Sequence, residues 1–236
     1  YGAGISSEDA AQIMIGFDRL SFAGMAYYRG LTLLGCNTMR TGVLPSDEQR
    51  YYIDQQRPSV AIGIPSTLKT LALDLQKKKV DPAKSSIRKI ICTVESIRDF
   101  KMELNSIGKT VQQLWDAEVF SSYFSTEASV SYCECLAHQG GHAHPELVYT
   151  EIIDEGGNVL PDGKAGELVV TSLGVEGLPL LRYRTGDITF KISSPCNCGR
   201  NSLRIGPVLG RTSQLIKYRG ETVYPLTITN ALDALD

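Results

Sequence analysis

Short apolar runs alternate with amphiphilic stretches up to about residue 145, and this alternation limits the fold more than any other feature of the sequence. Residues 59–64 and 87–94 are nearly continuous apolar runs, as expected for strands that are buried on both faces. A capping-box pattern predicts a helix that begins at Ser46 and stops before Arg57, and another helix is predicted at 67–79. Such alternation favours a parallel sheet with right-handed crossovers.

Three shorter segments follow in the same part of the chain. We predict a helix at 98–107, a strand at 111–119 and a loop at 121–124. These assignments decide which side chains stand at the ends of strands, where ligands of open parallel sheets bind.

After about residue 145 the pattern changes to hairpins, with predicted strands near 147–154 and 166–173 separated by glycine-rich turns. The predicted fold class is therefore α/β, with a mostly parallel sheet and helices on both faces, followed by a smaller β-rich subdomain. The predicted boundaries are 1–146 for the α/β part, 147–210 for the β-rich part and 211–236 for a connector that leads into a further piece.

Charge and hydropathy exclude some functions. The net charge is −2 and the pI is near 6.0, so no general electrostatic footprint for nucleic acid or an anionic membrane exists. No apolar run approaches the roughly 20 residues that a membrane span needs. The chain starts at Tyr1 without a signal-peptide pattern, and we expect an internal piece of a cytoplasmic protein.

The sequence Arg-Tyr-Arg-Thr-Gly-Asp at 182–187 places two arginines and an aspartate around a glycine turn. An aspartate on a fixed turn can accept two hydrogen bonds from a vicinal diol such as a ribose. The alternative is a salt-bridged surface turn, which this string alone does not exclude.

Two loops are expected at the carboxyl ends of strands, Thr93-Val94-Glu95 and Ser125-Thr126-Glu127. A hydroxyl followed by a carboxylate can bind a phosphate oxygen and a magnesium ion, which prefers oxygen ligands. The alternative is that the second string only caps a helix. The sequence contains neither a G-x-x-x-x-G-K-[ST] loop nor a G-x-G-x-x-G motif after a strand.

A metal site is predicted from cysteine and histidine spacing. Cys135 and His142, together with Cys196 and Cys198 of a C-x-C-G turn, supply the four ligands of a closed, structural zinc site. Other ligands are open at this point: Cys133, His138 and His144 are substitutes, and an all-cysteine set is another option. A histidine-assisted nucleophile is not supported, because every histidine lies in this cysteine-bearing segment.

Taken in order, a series of strings resembles the phenylacetate–CoA ligase family of AMP-forming adenylating enzymes. The strings are YFSTE at 123–127, EC at 134–135 with His142, EIID at 151–154, LPDG at 160–163, GELVVT at 166–171, PLLRYRTGDI at 179–188, PCNCGR at 195–200, IG at 205–206, LGR at 209–211 and RG at 219–220. The resemblance covers essentially the whole chain and implies the central part of such an enzyme, with 211–236 as the hinge and the start of a lid domain.

The resemblance implies that ATP, CoA and Mg²⁺ take part in the activation of a carboxylic acid of the aryl-acetate type. It implies that Asp187 holds the ribose hydroxyls, Thr126 a phosphate oxygen and Glu127 the magnesium, as the catalytic pair. Arg211 would sit at the ribose and the hinge. The expected partners are the acid and CoA, without nucleic acid or membrane and with a homodimer as the candidate assembly. The adenine and acyl pockets would be lined by Thr93, Val94, Glu95, Tyr123 and Phe124.

The chain departs from the family at several positions. The family has Gly at Phe124 and Gly-Ala-Glu at Thr93-Val94-Glu95, and its hinge aspartate corresponds to Ser213. The family's phosphate loop and lid lysine would lie outside 1–236, so we expect this chain alone to be inactive. The alternatives are a truncated or non-catalytic relative with structural zinc, a deazaflavin-adenylylating synthetase and a zinc-stapled interaction module.

Overall fold

The computed structural model describes residues 2–17, 22–218 and 221–233. It is an α/β fold with a large mixed sheet and smaller antiparallel sheets. The chain forms two compact units, Tyr1–Ile97 with Ile107–Phe120 and Arg98–Ser106 with Ser121–Asp236. The Arg219-Gly220 string lies outside the described residues. The predicted division at 146 and 210 stays a prediction.

The first unit contains four parallel strands in the order β2-β1-β3-β4. The side chains of β1, β3 and β4 are mostly buried, as the apolar runs predict for β3 and β4, whereas those of the edge strand β2 are exposed or half-buried. The strands are β1 (Ala10–Ile13), β2 (Asn37–Arg40), β3 (Val60–Gly63) and β4 (Lys89–Thr93), and the helices are α1 (Ala23–Leu33), α2 (Ser46–Gln56), α3 (Pro65–Lys77) and α4 (Ser106–Trp115), with a 3₁₀ turn at Pro82–Lys84.

Three local predictions are wrong. Of the segment predicted as a strand at 111–119, residues 111–115 form the second half of α4 and only 118–119 are strand, whereas the predicted loop at 121–124 lies within strand β5 (Glu118–Ser125). The predicted helix at 98–107 is instead a turn with an isolated bridge between Arg98 and Leu104. The buried residues of α4 are spaced by three and four positions, which is the period of one helix face, and they are Gly108, Val111 and Trp115.

The second unit is antiparallel, and its hairpins confirm the β-rich texture predicted after residue 145. Beyond β5, its strands are β6 (Val130–Cys133), β7 (Gly141–His142), β8 (Val148–Ile153), β9 (Gly166–Ser172), β10 (Tyr183–Thr189), β11 (Lys191–Ile192), β12 (Arg204–Ile205), β13 (Gly210–Arg211), β14 (Ile216–Tyr218) and β15 (Glu221–Val223), and its remaining helices are a 3₁₀ turn at Thr212–Gln214 and α5 (Pro225–Asp233). One set of strands pairs in the order β5-β6-β7-β12-β11, and another pairs in the order β8-β9-β10-β13.

The core of the second unit lies under these two sets of strands. One cluster surrounds Tyr132, Ile152 and Leu168, and a smaller one contains Ile188, Phe190 and Leu209. Within the described ranges, no helix combines the length and the apolar character that crossing a bilayer requires.

A buried ion pair fixes the turn after β6. Nε of Arg98 donates to Oε1 of Glu134 over 2.5 Å, and the backbone N–H of Ser121 donates to Oε2 of the same carboxylate over 2.9 Å. The side chains of Arg98 and Glu134 are 7% and 1% exposed. Glu134 therefore joins three segments of the second unit directly beside Cys135.

Candidate functional site

The Thr-Gly-Asp turn predicted as a ligand site is an irregularity within β10. The pairing of β10 with β9 shifts register between Arg184 and Ile188, and Gly186 adopts φ +78°, a conformation that glycine adopts without steric cost. The N–H of Gly186 donates to Oε1 of Glu167 over 3.1 Å, and Arg184 pairs with the other oxygen of Glu167. Glu167 thus holds the bulge that presents Asp187.

Both oxygens of the Asp187 carboxylate have a partner from this unit. The Tyr123 hydroxyl donates to Oδ2 over 2.8 Å, and Nε of Arg211 donates to Oδ1 over 2.9 Å. Arg211 also donates from Nη2 to the carbonyl oxygen of Thr185 over 3.2 Å. Asp187 and Arg211 face each other across the β10–β13 pair, which places the guanidinium beside the bulge.

The Ser-Thr-Glu string forms the tip of the β5–β6 hairpin and does not cap a helix. Ser125 pairs with Val130, and the Ser125 hydroxyl donates to Oε2 of Glu127 over 3.0 Å. Thr126 and Glu127 are exposed at this tip. The pKa of Glu127 is lowered, first by a hydrogen bond from its own backbone N–H, then by Ser125 and by the positive charge of Arg211. Arg211 therefore pairs directly with Asp187, whereas it acts on Glu127 only through its charge.

In the first unit, Thr93, Val94 and Glu95 stand at the carboxyl end of β4, as predicted. Thr93 is fully buried, and among the described residues its hydroxyl oxygen has no hydrogen-bond partner. Val94 has φ +73°, which is strained for a β-branched residue. The Glu95 carboxylate accepts hydrogen bonds from the backbone N–H of Ser66 over 2.9 Å and from its hydroxyl over 2.6 Å. Glu95 thus binds the first turn of α3.

Tyr123 and Phe124 are neighbours on β5, and their side chains point to opposite faces of the strand. The Tyr123 ring lies 5.8 Å from the Tyr132 ring, centroid to centroid. Phe124 is half-buried. The assignment of both residues to adenine and acyl pockets stays a prediction.

The structure brings together the four predicted metal ligands. Sγ of Cys135 lies 3.6 Å from Sγ of Cys196, and Sγ of Cys198 lies 3.5 Å from Nε2 of His142. All four ligand atoms lie within 4.8 Å of one another. Zinc bonds of about 2.3 Å to sulfur and 2.0–2.1 Å to nitrogen put tetrahedral ligands about 3.5–3.8 Å apart. Those two contacts fit a closed zinc site.

The protonation states of His142 and Cys198 suit a metal, whereas the Cys135 thiol would have to release its proton when a metal binds. Burial and the charges of Arg200 and Arg204 lower the pKa of His142 to about 4, so its imidazole is neutral at pH 7. Burial raises the pKa of Cys135 to about 11. At Cys198 the burial effect is outweighed by hydrogen bonds from the Arg200 backbone and the neighbouring thiols, and the pKa is about 7. Neutral imidazole and thiolate are the forms that bind metal.

The three substitute ligands have other neighbours. Sγ of Cys133 lies 3.1 Å from the Ser122 hydroxyl, Nδ1 of His138 lies 3.6 Å from Glu134, and Nδ1 of His144 lies 3.5 Å from Glu146. The gathered set is therefore Cys135, His142, Cys196 and Cys198.

Sequence reasoning missed the residues that support these groups. Nδ1 of His142 lies 2.9 Å from the Ser202 hydroxyl, which leaves Nε2 for the cluster. Glu167 holds the bulge, and Ser125 holds Glu127. A charged residue within the apolar strand pattern of 166–170 is a signal that could have identified Glu167.

Comparison with known proteins supports the resemblance. No protein-family model matches the chain. The chain is 33% identical over 217 residues to a phenylacetate–coenzyme A ligase of Thermus thermophilus, covering 90% of this chain and 47% of that protein. It is 29% identical over 230 residues to the enzyme of the same name from Pseudomonas putida, covering 96% of this chain and 50% of that protein.

A solved structure of 2-hydroxyisobutyryl-CoA ligase in complex with 2-HIB-AMP shares the fold, with a TM-score of 0.87 and 23% identity. That match covers 99% of this chain and 50% of the ligase chain. The chain thus spans about half the length of the proteins that it matches. In sequence this chain is similar to four phenylacetate–coenzyme A ligases, at 26–33% identity over 90–96% of its length, and the solved ligase structure shows the fold.

Proposed function

We propose that this chain supplies the nucleotide-binding part of an ATP-dependent acid–CoA ligase. The observation that carries the proposal is the Asp187 carboxylate, which lies at the irregularity in β10 between the Tyr123 hydroxyl and the Arg211 guanidinium. Asp187 would bind the ribose diol and Glu127 the magnesium ion. Arg211 pairs with the first carboxylate and acts on the second through its charge.

The proposed reaction has two steps. The carboxylate of the acid attacks the α-phosphorus of ATP and expels pyrophosphate, which gives an acyl-adenylate. The CoA thiol then attacks the acyl carbon, and AMP leaves. Asp187 would accept hydrogen bonds from the ribose, Thr126 would donate one to a phosphate oxygen, and Glu127 would bind Mg²⁺, which neutralises phosphate charge. These residues would act by positioning and electrostatic stabilisation.

The acid is proposed to be of the aryl-acetate type, since the curated relatives are named phenylacetate–coenzyme A ligases. Tyr123 and Phe124 are proposed to line the adenine and acyl pockets, and the corresponding role of Thr93, Val94 and Glu95 stays a prediction. Burial of Thr93, with no partner for its hydroxyl in the described part of the chain, is consistent with a place beside a polar ligand.

We also propose that Cys135, His142, Cys196 and Cys198 hold a structural zinc ion. With four protein ligands the site has no open position for a substrate, so the ion would stabilise structure and take no part in the reaction. The ligands come from the β6 turn, from β7 and from the turn after β11, which are far apart in sequence.

A second candidate is a non-catalytic relative that keeps the fold. The side chains of Thr93 and Phe124 stand where glycine is usual in the family, and both oxygens of Asp187 already have protein partners. Either feature would weaken ATP binding in a protein that no longer turns over.

Calorimetric titration with ATP, with and without Mg²⁺, tests the proposal. The wild-type chain is expected to bind ATP more tightly with Mg²⁺, and Glu127→Gln is expected to lose about tenfold of that gain because one charged oxygen ligand is removed. Glu48→Gln, on the exposed first turn of α2, is the matched control. The absence of binding heat in both conditions would favour the non-catalytic relative.

A further inference from the structure

The Tyr123 hydroxyl makes a hydrogen bond that a role in lining an adenine pocket with the aromatic ring would not require. Its hydroxyl donates to Oδ2 of Asp187 over 2.8 Å, although the two residues are 64 positions apart in sequence. The burial of the ring and the negative charge of Asp187 raise the pKa of Tyr123 above its usual range. The hydroxyl is therefore protonated, and remains a donor, throughout the neutral range.

The two partners of Asp187 differ in exposure. The Arg211 side chain is 56% exposed, whereas that of Asp187 is only 15% exposed. Tyr123 is partly buried and packs against the core residue Tyr132. Arg211 can therefore move into solvent at little cost, whereas Tyr123 cannot leave the carboxylate without repacking the core.

The remaining hydrogen-bonding capacity of Asp187 matches a diol. An ionised carboxylate offers about four lone-pair sites on its two oxygens. Tyr123 uses one site on Oδ2 and Arg211 one site on Oδ1, so each oxygen keeps one site. Two acceptor sites on adjacent oxygens suit two neighbouring hydroxyl groups.

The backbone at Asp187 has hydrogen bonds of its own. The N–H of Asp187 donates to the Thr185 hydroxyl over 3.1 Å, and that hydroxyl donates to the Leu168 carbonyl oxygen over 2.8 Å. What these bonds leave free is the rotation of the carboxylate about its last torsion, which is broad in aspartate. The Tyr123 hydroxyl and the exposed Arg211 are the groups that limit this rotation.

We propose that Tyr123 is a positioning residue for ribose recognition, and that its hydroxyl sets the plane in which the Asp187 carboxylate accepts a vicinal diol. This inference rests on the proposed function, since it requires Asp187 to bind the ribose. It concerns the diol alone, so the Tyr123 hydroxyl should matter for ribonucleotides and not for nucleotides that lack both ribose hydroxyls.

The positioning role of Tyr123 is tested by comparing the binding of two ligands, with and without the ribose hydroxyls, to three proteins. AMP and 2′,3′-dideoxy-AMP are titrated calorimetrically into the wild-type chain, Tyr123→Phe and Tyr132→Phe. Tyr132→Phe is the matched control, because it also deletes one hydroxyl, which lies 2.7 Å from that of Thr150 and not beside Asp187. Thermal melting of each protein checks that the variants are folded.

We expect Tyr123→Phe to weaken AMP binding about tenfold, the value of one charge-assisted hydrogen bond, and to leave dideoxy-AMP binding within about twofold. Tyr132→Phe should keep the wild-type preference for AMP. In an Asp187→Asn background, Tyr123→Phe should have no further effect on that preference.

Equal losses for both ligands in Tyr123→Phe would overturn the positioning role, because a merely structural defect lowers both affinities. An unchanged preference for AMP in Tyr123→Phe would overturn it as well. If the wild-type chain itself bound both ligands equally, the assignment of Asp187 to the ribose would fail, and the positioning role would fail with it.

Discussion

At the scale of single residues, the ability of the cysteine–histidine cluster to bind a metal depends on the protonation states of its side chains. His142 is neutral at pH 7 because burial and two arginines lower its pKa to about 4, and Ser202 occupies its Nδ1. Cys198 is the exposed member, and its pKa of about 7 leaves much of it as thiolate. With Cys135 and Cys196, these residues bring three sulfurs and one nitrogen to one place.

Metal analysis of purified protein tests the zinc proposal. We expect about one zinc per wild-type chain and a clear loss in Cys198→Ser, because a hydroxyl is a poor zinc ligand beside a thiolate. Cys133→Ser is the control, since Cys133 lies beside Ser122, outside the gathered set. Full zinc content in Cys198→Ser, or none in the wild-type chain, would contradict the ligand set.

Patterns in the sequence predicted the candidate metal ligands, but they did not predict which distant residues are in contact. The C-x-C-G turn and the Cys135–His142 spacing identified the ligands that the structure gathers, because ligand chemistry restricts spacing. The bond between Tyr123 and Asp187 was not predictable, since it joins residues 64 positions apart whose proximity depends on tertiary packing.

At the scale of elements, Glu134 connects the turn after β6 to the middle of β5 and to the 98–106 segment. Arg98 and Ser121 both donate to this carboxylate, which is nearly inaccessible to solvent. Burial alone would raise the pKa of Glu134, but His138, Arg98 and the Ser121 N–H outweigh it, and the pKa is lowered. A buried pair of this kind is costly to break because one charge is left without its partner.

Urea unfolding of Glu134→Gln tests this role. At pH 7 we expect the free energy of unfolding to fall by about 3 kcal/mol, the cost of a buried unpaired charge. Asp54→Asn removes an exposed ion pair with Arg50 and should change it by less than about 1 kcal/mol. A loss in Glu134→Gln no larger than that in Asp54→Asn would contradict the account.

The difference in the free energy of unfolding between the wild type and Glu134→Gln should depend on pH. The folded-state pKa of Glu134 is below its ordinary value of 4.5, so its contribution is complete above about pH 4.5 and is lost as pH falls through the folded-state value. The difference between the wild type and Glu134→Gln should therefore shrink in acid, and a difference that grew would contradict this sign.

In the first unit, the local pattern predicted α2, α3, β3 and β4 but neither β1 nor the structure near residue 111. Fully apolar runs identified β3 and β4, because a parallel strand must be apolar on both faces. The 111–119 stretch misled because Val111 and Trp115 favour strands by propensity, whereas their four-residue spacing buries both on one face of α4. In α4 the helical spacing of the buried residues therefore outweighs the strand propensity of the individual residues.

At the scale of the whole molecule, the fold class was predictable and the arrangement of long-range contacts was not. Alternating strands and helices predicted the α/β class, and turn residues predicted the antiparallel hairpins. The β13–β10 pairing places Arg211 beside Asp187, and no local signal specifies that pairing. The chain spans about half of each relative that it matches, so the activity of the complete protein is a proposal.

The central claim is that Asp187 is the ribose-binding carboxylate of a nucleotide site in the second unit. Its most direct test is calorimetric titration of AMP into the wild-type chain and Asp187→Asn, with Asp54→Asn as the surface control. We predict one AMP per wild-type chain, unchanged affinity in Asp54→Asn and affinity about 10- to 100-fold weaker in Asp187→Asn, since charge-assisted hydrogen bonds to the diol are lost. Equal AMP affinity in all three proteins, or no AMP binding by the wild type, would contradict the claim.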